Sequence, residues 1–193
     1  MAARLRSRVR LGMRDDGEAR AVVGIVLDGR RHHVQAIFAA GAGAGDRGER
    51  CVLRRQARAL DSALQQQRQA HLAHPLSTLA ERKADLLQLR RYILDHQEAI
   101  CDAISADYGH RSRHETMLME LMPVISDIQA TLKHLGEWMK PQKRAIDRKI
   151  FGLASNRVIP QPLGVVGVIV PWNFPINLSF LPLVAIFAAG NRA

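Results

Sequence analysis

One asparagine stands out among the residues able to do chemistry. Asn173 lies in Pro171-Trp172-Asn173-Phe174-Pro175, between an apolar run and an apolar helix-forming stretch. Its neutral carboxamide can donate hydrogen bonds to a developing oxyanion, which a carboxylate would repel. An Asn in a tight loop also commonly serves only to shape the turn. Spacing alone leaves both roles open, and Trp172 by itself reads as packing. The other candidates are weaker. Cys51 sits among arginines, which can lower a thiol pKa, but no His or Asn constellation accompanies it, and Cys101 falls on an apolar helical stripe. Neither has the setting of a nucleophile. His71-x-x-His74 and His110-x-x-x-His114 lack a third ligand in reach, so exposed or capping roles suit them and no metal site is expected. Gly43-Ala-Gly45-Asp-Arg-Gly48, after a possible strand over 34–40, satisfies GxGxxG. A dinucleotide fingerprint needs a second strand ending in an acid, whereas a long helix over 56–73 follows here, so 41–48 reads as a flexible linker.

Positioning Asn173 falls to the segments around it. Residues 163–170 form a continuous, β-branched apolar run, the pattern of a strand buried on both faces in a parallel sheet. Pro175 suits the first position of a helix over 176–189, which Gly190 stops. Strand, tight loop and helix make the first half of a βαβ unit. In open α/β sheets ligands bind beyond the carboxyl ends of the strands, where residues 171–174 lie.

Upstream, Thr78-Leu-Ala-Glu81 is a capping box that starts a helix near 79. Its buried stripe is Leu79/Ala80, Leu86/Leu87, Ile93/Leu94, Ile100/Cys101 and Ile104, with Gly109 as a left-handed stop. The flanks lack coiled-coil charge pairing, which favours packing on a domain. Ser112-Arg-His-Glu115 reads as a second capping box. The helix after it carries Leu118, Leu121/Met122, Ile125, Ile128, Leu132, Leu135 and Met139, kinked at Pro123 and closed by Pro141. Met117, Met119, Met122 and Met139 read as core filler. Residues 142–150 form a solvated basic connector, and 155–161 an extended segment.

Composition bounds the rest. The net charge is +10 over 193 residues, and the excess is concentrated in residues 1–55, where twelve Arg face six acids without a Lys. An Arg-rich start suits a transit peptide or a phosphate-binding arm, but Asp15, Asp16 and Glu18 spoil the first and the scarcity of Lys and aromatics weakens the second. Residues 1–50 read as a poorly ordered extension. Two cysteines cannot build a disulfide framework, so a reducing, cytoplasmic setting is expected. The most apolar stretch, 163–190, is broken by prolines and polar residues, which argues against a membrane span.

The run Gln161-Pro-Leu-Gly-Val-Val-Gly-Val-Ile-Val-Pro-Trp-Asn-Phe-Pro, with the helix ending Ala-Ala-Gly-Asn191, resembles the aldehyde dehydrogenase superfamily. Ile104-Ser-Ala-Asp107-Tyr-Gly-His-Arg-Ser, Glu115 and Leu135-Gly-Glu-Trp138-Met resemble its class-3-like branch, which contains coniferyl aldehyde dehydrogenases. The likeness covers about residues 57–193. It implies an α/β fold in which a helical part, 51–141, leads into the first βα of a Rossmann-like domain at 163–193, incomplete in this chain. It also implies that 142–162 is the extended arm used in homo-oligomerisation. Asn173 then matches the oxyanion-hole asparagine, and Val170, Pro171 and Trp172, together with Asn173, match the loop lining NAD or NADP. The implied reaction oxidises an aldehyde, such as an aromatic one of the coniferyl type, to its acid: a Cys thiolate attacks, hydride passes to NAD(P)+, and a Glu activates water.

The family's Lys-Pro-Ser-Glu strand end, later cofactor glycines, Glu base and nucleophilic Cys have no counterpart before Ala193. The resemblance therefore implies that this stretch by itself is inactive, binds cofactor weakly, and exposes apolar surface. An alternative reading is a non-enzymatic interaction fragment, binding a paralogue through 142–162 or nucleic acid through the basic arm.

Overall fold

The computed structural model describes the backbone of residues 47–193, with side chains from residue 57, and two short strands, β1 (Arg10–Leu11) and β2 (Val23–Gly24), which pair antiparallel. The predicted strand over 34–40, most of the glycine motif and the Cys51 side chain lie outside the described residues.

Helix α1 (Arg47–Ala73) begins earlier than the predicted residue 56. The Thr78 capping box is formed as expected and starts α2 (Leu79–Asp95): Glu81 N donates to Thr78 Oγ1 at 3.2 Å, and Thr78 N donates to Glu81 Oε2 at 2.9 Å. The single helix expected from 79 to 109 is in fact two. It breaks at His96 (φ −116°, ψ 11°), whose ring nitrogen Nδ1 lies 2.9 Å from the carbonyl oxygen of Tyr92, and α3 (Gln97–Tyr108) follows. Leu86, Ile93, Cys101 and Ile104 are buried as expected, but Leu89 and Tyr92 join them while Leu79, Leu87 and Leu94 face solvent. Gly109, at φ 68°, ends α3 in the left-handed conformation.

The second capping box is not made. Ser112 is the N-cap of α4 (Arg113–Thr116), but its side chain accepts no hydrogen bond, and the Glu115 carboxylate pairs with Arg111 at 3.4 Å. A π-helical turn, Met117–Leu121, then runs into α5 (Met122–Trp138), whose second residue is Pro123. The expected kink takes this form for a definite reason. Pro123 has no N–H to give the carbonyl four residues back, Met119, and that oxygen accepts instead from Asn177 Nδ2 at 2.7 Å. Met117 and Met139 pack against the core, whereas Met119 and Met122 are exposed rather than core filler.

After α5 the chain forms a hairpin. Strand β3 (Gln142–Arg144) pairs antiparallel with β4 (Asn156–Val158), both exposed, around the short helix α6 (Arg148–Phe151). Helix α7 (Pro175–Ala188) starts at Pro175 and is stopped by Gly190 at φ 80°, as its sequence predicts. Helices α2, α5 and α7 pack on one another, and Leu86, Ile93, Val124, Ile128, Phe180 and Val184 are fully or nearly fully buried between them. Each such side chain contributes roughly 1.5–3 kcal/mol as an upper bound.

Residues 163–170 are not a strand buried on both faces. They run extended, with a single parallel bridge, Val165 to Arg192, supported by Val166 N to Arg192 O (2.8 Å) and Arg192 N to Gly164 O (2.9 Å). Val166 and Val168 pack on the core, while Leu163 and Ile169 are 90% and 100% exposed. A parallel strand is defined by lateral partners, and among the described residues only 190–192 lies alongside. The bridge nevertheless brings the chain back parallel to its starting run after α7, the direction a βαβ unit takes.

Candidate functional site

The loop 171–174 joins the extended run to α7, and its shape is imposed from outside. Its composition offers no helix or ladder of its own, and its carbonyls are taken by side chains distant in sequence. Tyr108 Oη donates to the Trp172 carbonyl, and Arg111 Nη1 donates to the Asn173 carbonyl at 3.1 Å. The Arg111 guanidinium also lies over the ring of Phe174 at 4.7 Å and that of Tyr108 at 5.1 Å, within cation–π range.

Arg111 reaches this position because Gly109 and His110 both take positive φ, 68° and 137°, turning the chain sharply after α3. For His110 that conformation is strained, typically by about 1–3 kcal/mol. The arginine side chain is only 6% exposed and is paired with Glu120, itself fully buried, at 3.0 Å (Nη1 to Oε1), and with Glu115 at 3.4 Å (Nε to Oε1). The second oxygen of Glu120 accepts from Ile176 N at 2.7 Å and Asn177 N at 3.3 Å. One carboxylate thus caps the amino terminus of α7 and anchors the arginine that holds the loop before it.

Electrostatics at Glu120 are contested. Burial raises its pKa; the N–H groups of Ile176 and Asn177 and the Arg111 charge pull it down, Glu115 pushes it up, and the net direction is upward. Tyr108 is likewise raised by burial, with Arg111 opposing.

Around the loop an open cleft of about 370 Å³ is lined by Tyr108, His110, Arg111, Glu115, Asn173 and Phe174. The structure brings Asn173 to this cleft and leaves it exposed, contiguous with exposed Pro171, Trp172 at 77% exposure and half-buried Val170. The remaining candidates are elsewhere. Cys101 is in the core, where burial, then Asp102 and Glu120, push its thiol pKa up. His74 lies 3.1 Å from Glu81, and His71 lies beside Gly164. Among the described residues no three His, Cys, Asp or Glu side chains form a metal-binding group.

The sequence reading missed the clamp. Glu120 carried a signal: it falls on the buried stripe Thr116, Glu120, Val124, Ile128, Thr131 and Leu135, and an acid there requires a partner. Arg111 carried none, since the φ values that bury it depend on the turn.

Residues 51–193 match the profile of the Aldehyde dehydrogenase family. The chain is 45% identical over 134 residues to the coniferyl aldehyde dehydrogenase of Pseudomonas sp. strain HR199, covering 69% of this chain and 27% of that protein. It is 33% identical over 132 residues to aldehyde dehydrogenase family 3 member B1 of Rattus norvegicus, covering 68% and 28%. Its fold matches the substrate-bound state of Staphylococcus aureus AldH with a TM-score of 0.64 at 23% identity, over 68% of this chain and 28% of that one. The chain therefore spans a little over a quarter of the length of the curated relatives it matches. From the Pro-Trp-Asn-Phe-Pro loop, the parallel return of the chain beside it and the match over 51–193, this chain belongs to the aldehyde dehydrogenase family.

Proposed function

We propose that this chain supplies the oxyanion donor and the cofactor-lining loop of an NAD(P)-dependent aldehyde dehydrogenase that oxidises an aldehyde to its carboxylic acid. The observation that carries the reading is Asn173 at the rim of an open cleft, on a loop whose backbone is tied from both sides. A carboxamide in that place can donate to an oxygen that gains charge as a nucleophile adds to the carbonyl carbon, without reorganising at the moment of reaction. Aromatic aldehydes of the coniferyl type are the substrate class we favour, on the identity to the Pseudomonas enzyme and the aromatic walls Tyr108 and Phe174.

Val170, Pro171 and Trp172 suit the nicotinamide end of the cofactor, because they form an uncharged wall that is largely exposed. The chemistry a bound nicotinamide dinucleotide supplies there is acceptance of hydride from the aldehyde carbon. The amino terminus of α7 does not suit its phosphates, since the N–H groups of Ile176 and Asn177 already serve Glu120. Cys101 is unsuited to the nucleophile's part, being buried with a raised thiol pKa. The hairpin 142–158, with Ile150, Phe151 and Leu153 exposed, is our candidate for the homo-oligomerisation arm.

Asn173→Ala in the intact protein tests the reading. Steady-state kinetics should show kcat lower by about 100- to 1000-fold with folding unchanged, the usual effect of removing one oxyanion donor. Asn173→Asp should be at least as damaging. Wild-type turnover in both variants would eliminate the assignment.

A further inference from the structure

We propose that Arg111 is a positioning residue for Asn173, acting from a buried ion pair with Glu120, an inference that rests on the oxyanion reading above. Three contacts from two residues converge on one short loop. Arg111 Nη1 holds the Asn173 carbonyl at 3.1 Å, its guanidinium lies over the next residue's ring at 4.7 Å, and Tyr108 holds the preceding carbonyl, that of Trp172. The peptide planes on both sides of the Asn173 α-carbon are thereby fixed, which sets the direction in which its Cα–Cβ bond leaves the loop.

A plainer role for the arginine fits less well. Its charge is met by Glu120 and Glu115 and its side chain is 6% exposed, so it is not free to receive an anionic ligand. Nor is the loop merely glued to the surface. The same Glu120 that anchors Arg111 also caps α7 through Ile176 N and Asn177 N, so loop and helix start are set against one common atom group. Lysine is a poor substitute, because it keeps the charge but loses the planar fork and the ring stacking.

The test is a coupling experiment on the intact protein: Arg111→Lys and Tyr108→Phe, each alone and each combined with Asn173→Ala. A misaimed carboxamide should lower kcat by roughly 10- to 100-fold for Arg111→Lys and less for Tyr108→Phe. KM for the aldehyde should change little, as expected for an interaction made in the transition state. In the Asn173→Ala background the same substitutions should have almost no further effect on kcat, because no donor remains to be aimed. Losses that persist in full in that background would overturn the proposal and leave Asn173 its role. A normal kcat for Asn173→Ala alone would instead sink the oxyanion reading, and this proposal with it. If Arg111→Lys fails to fold by near-ultraviolet circular dichroism, Tyr108→Phe decides alone, since it removes one hydroxyl and no charge.

Discussion

A carboxyl group with no solvent contact is costly unless its oxygens are met by partners. At Glu120 one oxygen is hydrogen-bonded to the first N–H groups of α7, while the other has the Arg111 charge at 3.0 Å without a hydrogen bond. Deleting one partner of such a pair generally costs about 3–5 kcal/mol, so Glu120 is a structural as well as a site residue. Cys101 presents a neutral counterpart. Its thiol is buried and its folded pKa is raised, first by burial and then by Asp102 and Glu120. A raised acid contributes stability that is complete below the unfolded thiol pKa, roughly 8.5, and is lost as pH climbs through the folded value. Denaturant titrations should therefore show stability declining above about pH 8.5–9, and Cys101→Val should flatten the first part of that decline. An unchanged slope in the variant would contradict the burial assigned to this thiol. The position of Asn173 at the cleft could be expected at this scale, because its five-residue context marks a tight loop before a helix. That of Arg111 could not, since a basic residue in a turn looks solvated until a positive φ at His110 swings it inward.

Helices show how local rules win or lose against packing. The Thr78 capping box is a contest among neighbours in sequence, so it could be read directly and is formed with both bonds. Thr78→Ala should lower the unfolding free energy by about 0.5–2 kcal/mol in urea titrations; a change below the error of the measurement would show the cap to be redundant. Ser112 has the same local grammar, but its box is not made, and the Glu115 carboxylate pairs instead with the preceding residue Arg111, itself drawn inward by Glu120. The π-helical turn before Pro123 was only half visible because part of it is set by another helix. Proline states that a carbonyl will be freed, but the Asn177 amide that takes the Met119 oxygen comes from another helix.

For the whole molecule, the feature with the largest consequence is the open face of residues 163–170. Val166 and Val168 are inward, whereas Leu163 and Ile169 stand in solvent beside an exposed backbone edge. With Ile150, Phe151 and Leu153 also exposed, the 193-residue chain should self-associate. Analytical ultracentrifugation should detect assemblies that Ile169→Lys diminishes; a monodisperse monomer with Ile169 in place would count against this.

By itself the amino-acid sequence determined the family, the capping box, and the start and stop of α7. These are matters of residue type and short spacing, which act over a turn or two of chain. Only the tertiary structure decided which face of 163–170 is covered and what holds the loop in place. Those outcomes depend on partners such as Arg111, Glu120 and Arg192 arriving from dozens of residues away. Burial and pairing are settled by which surfaces meet, and no local pattern encodes that meeting.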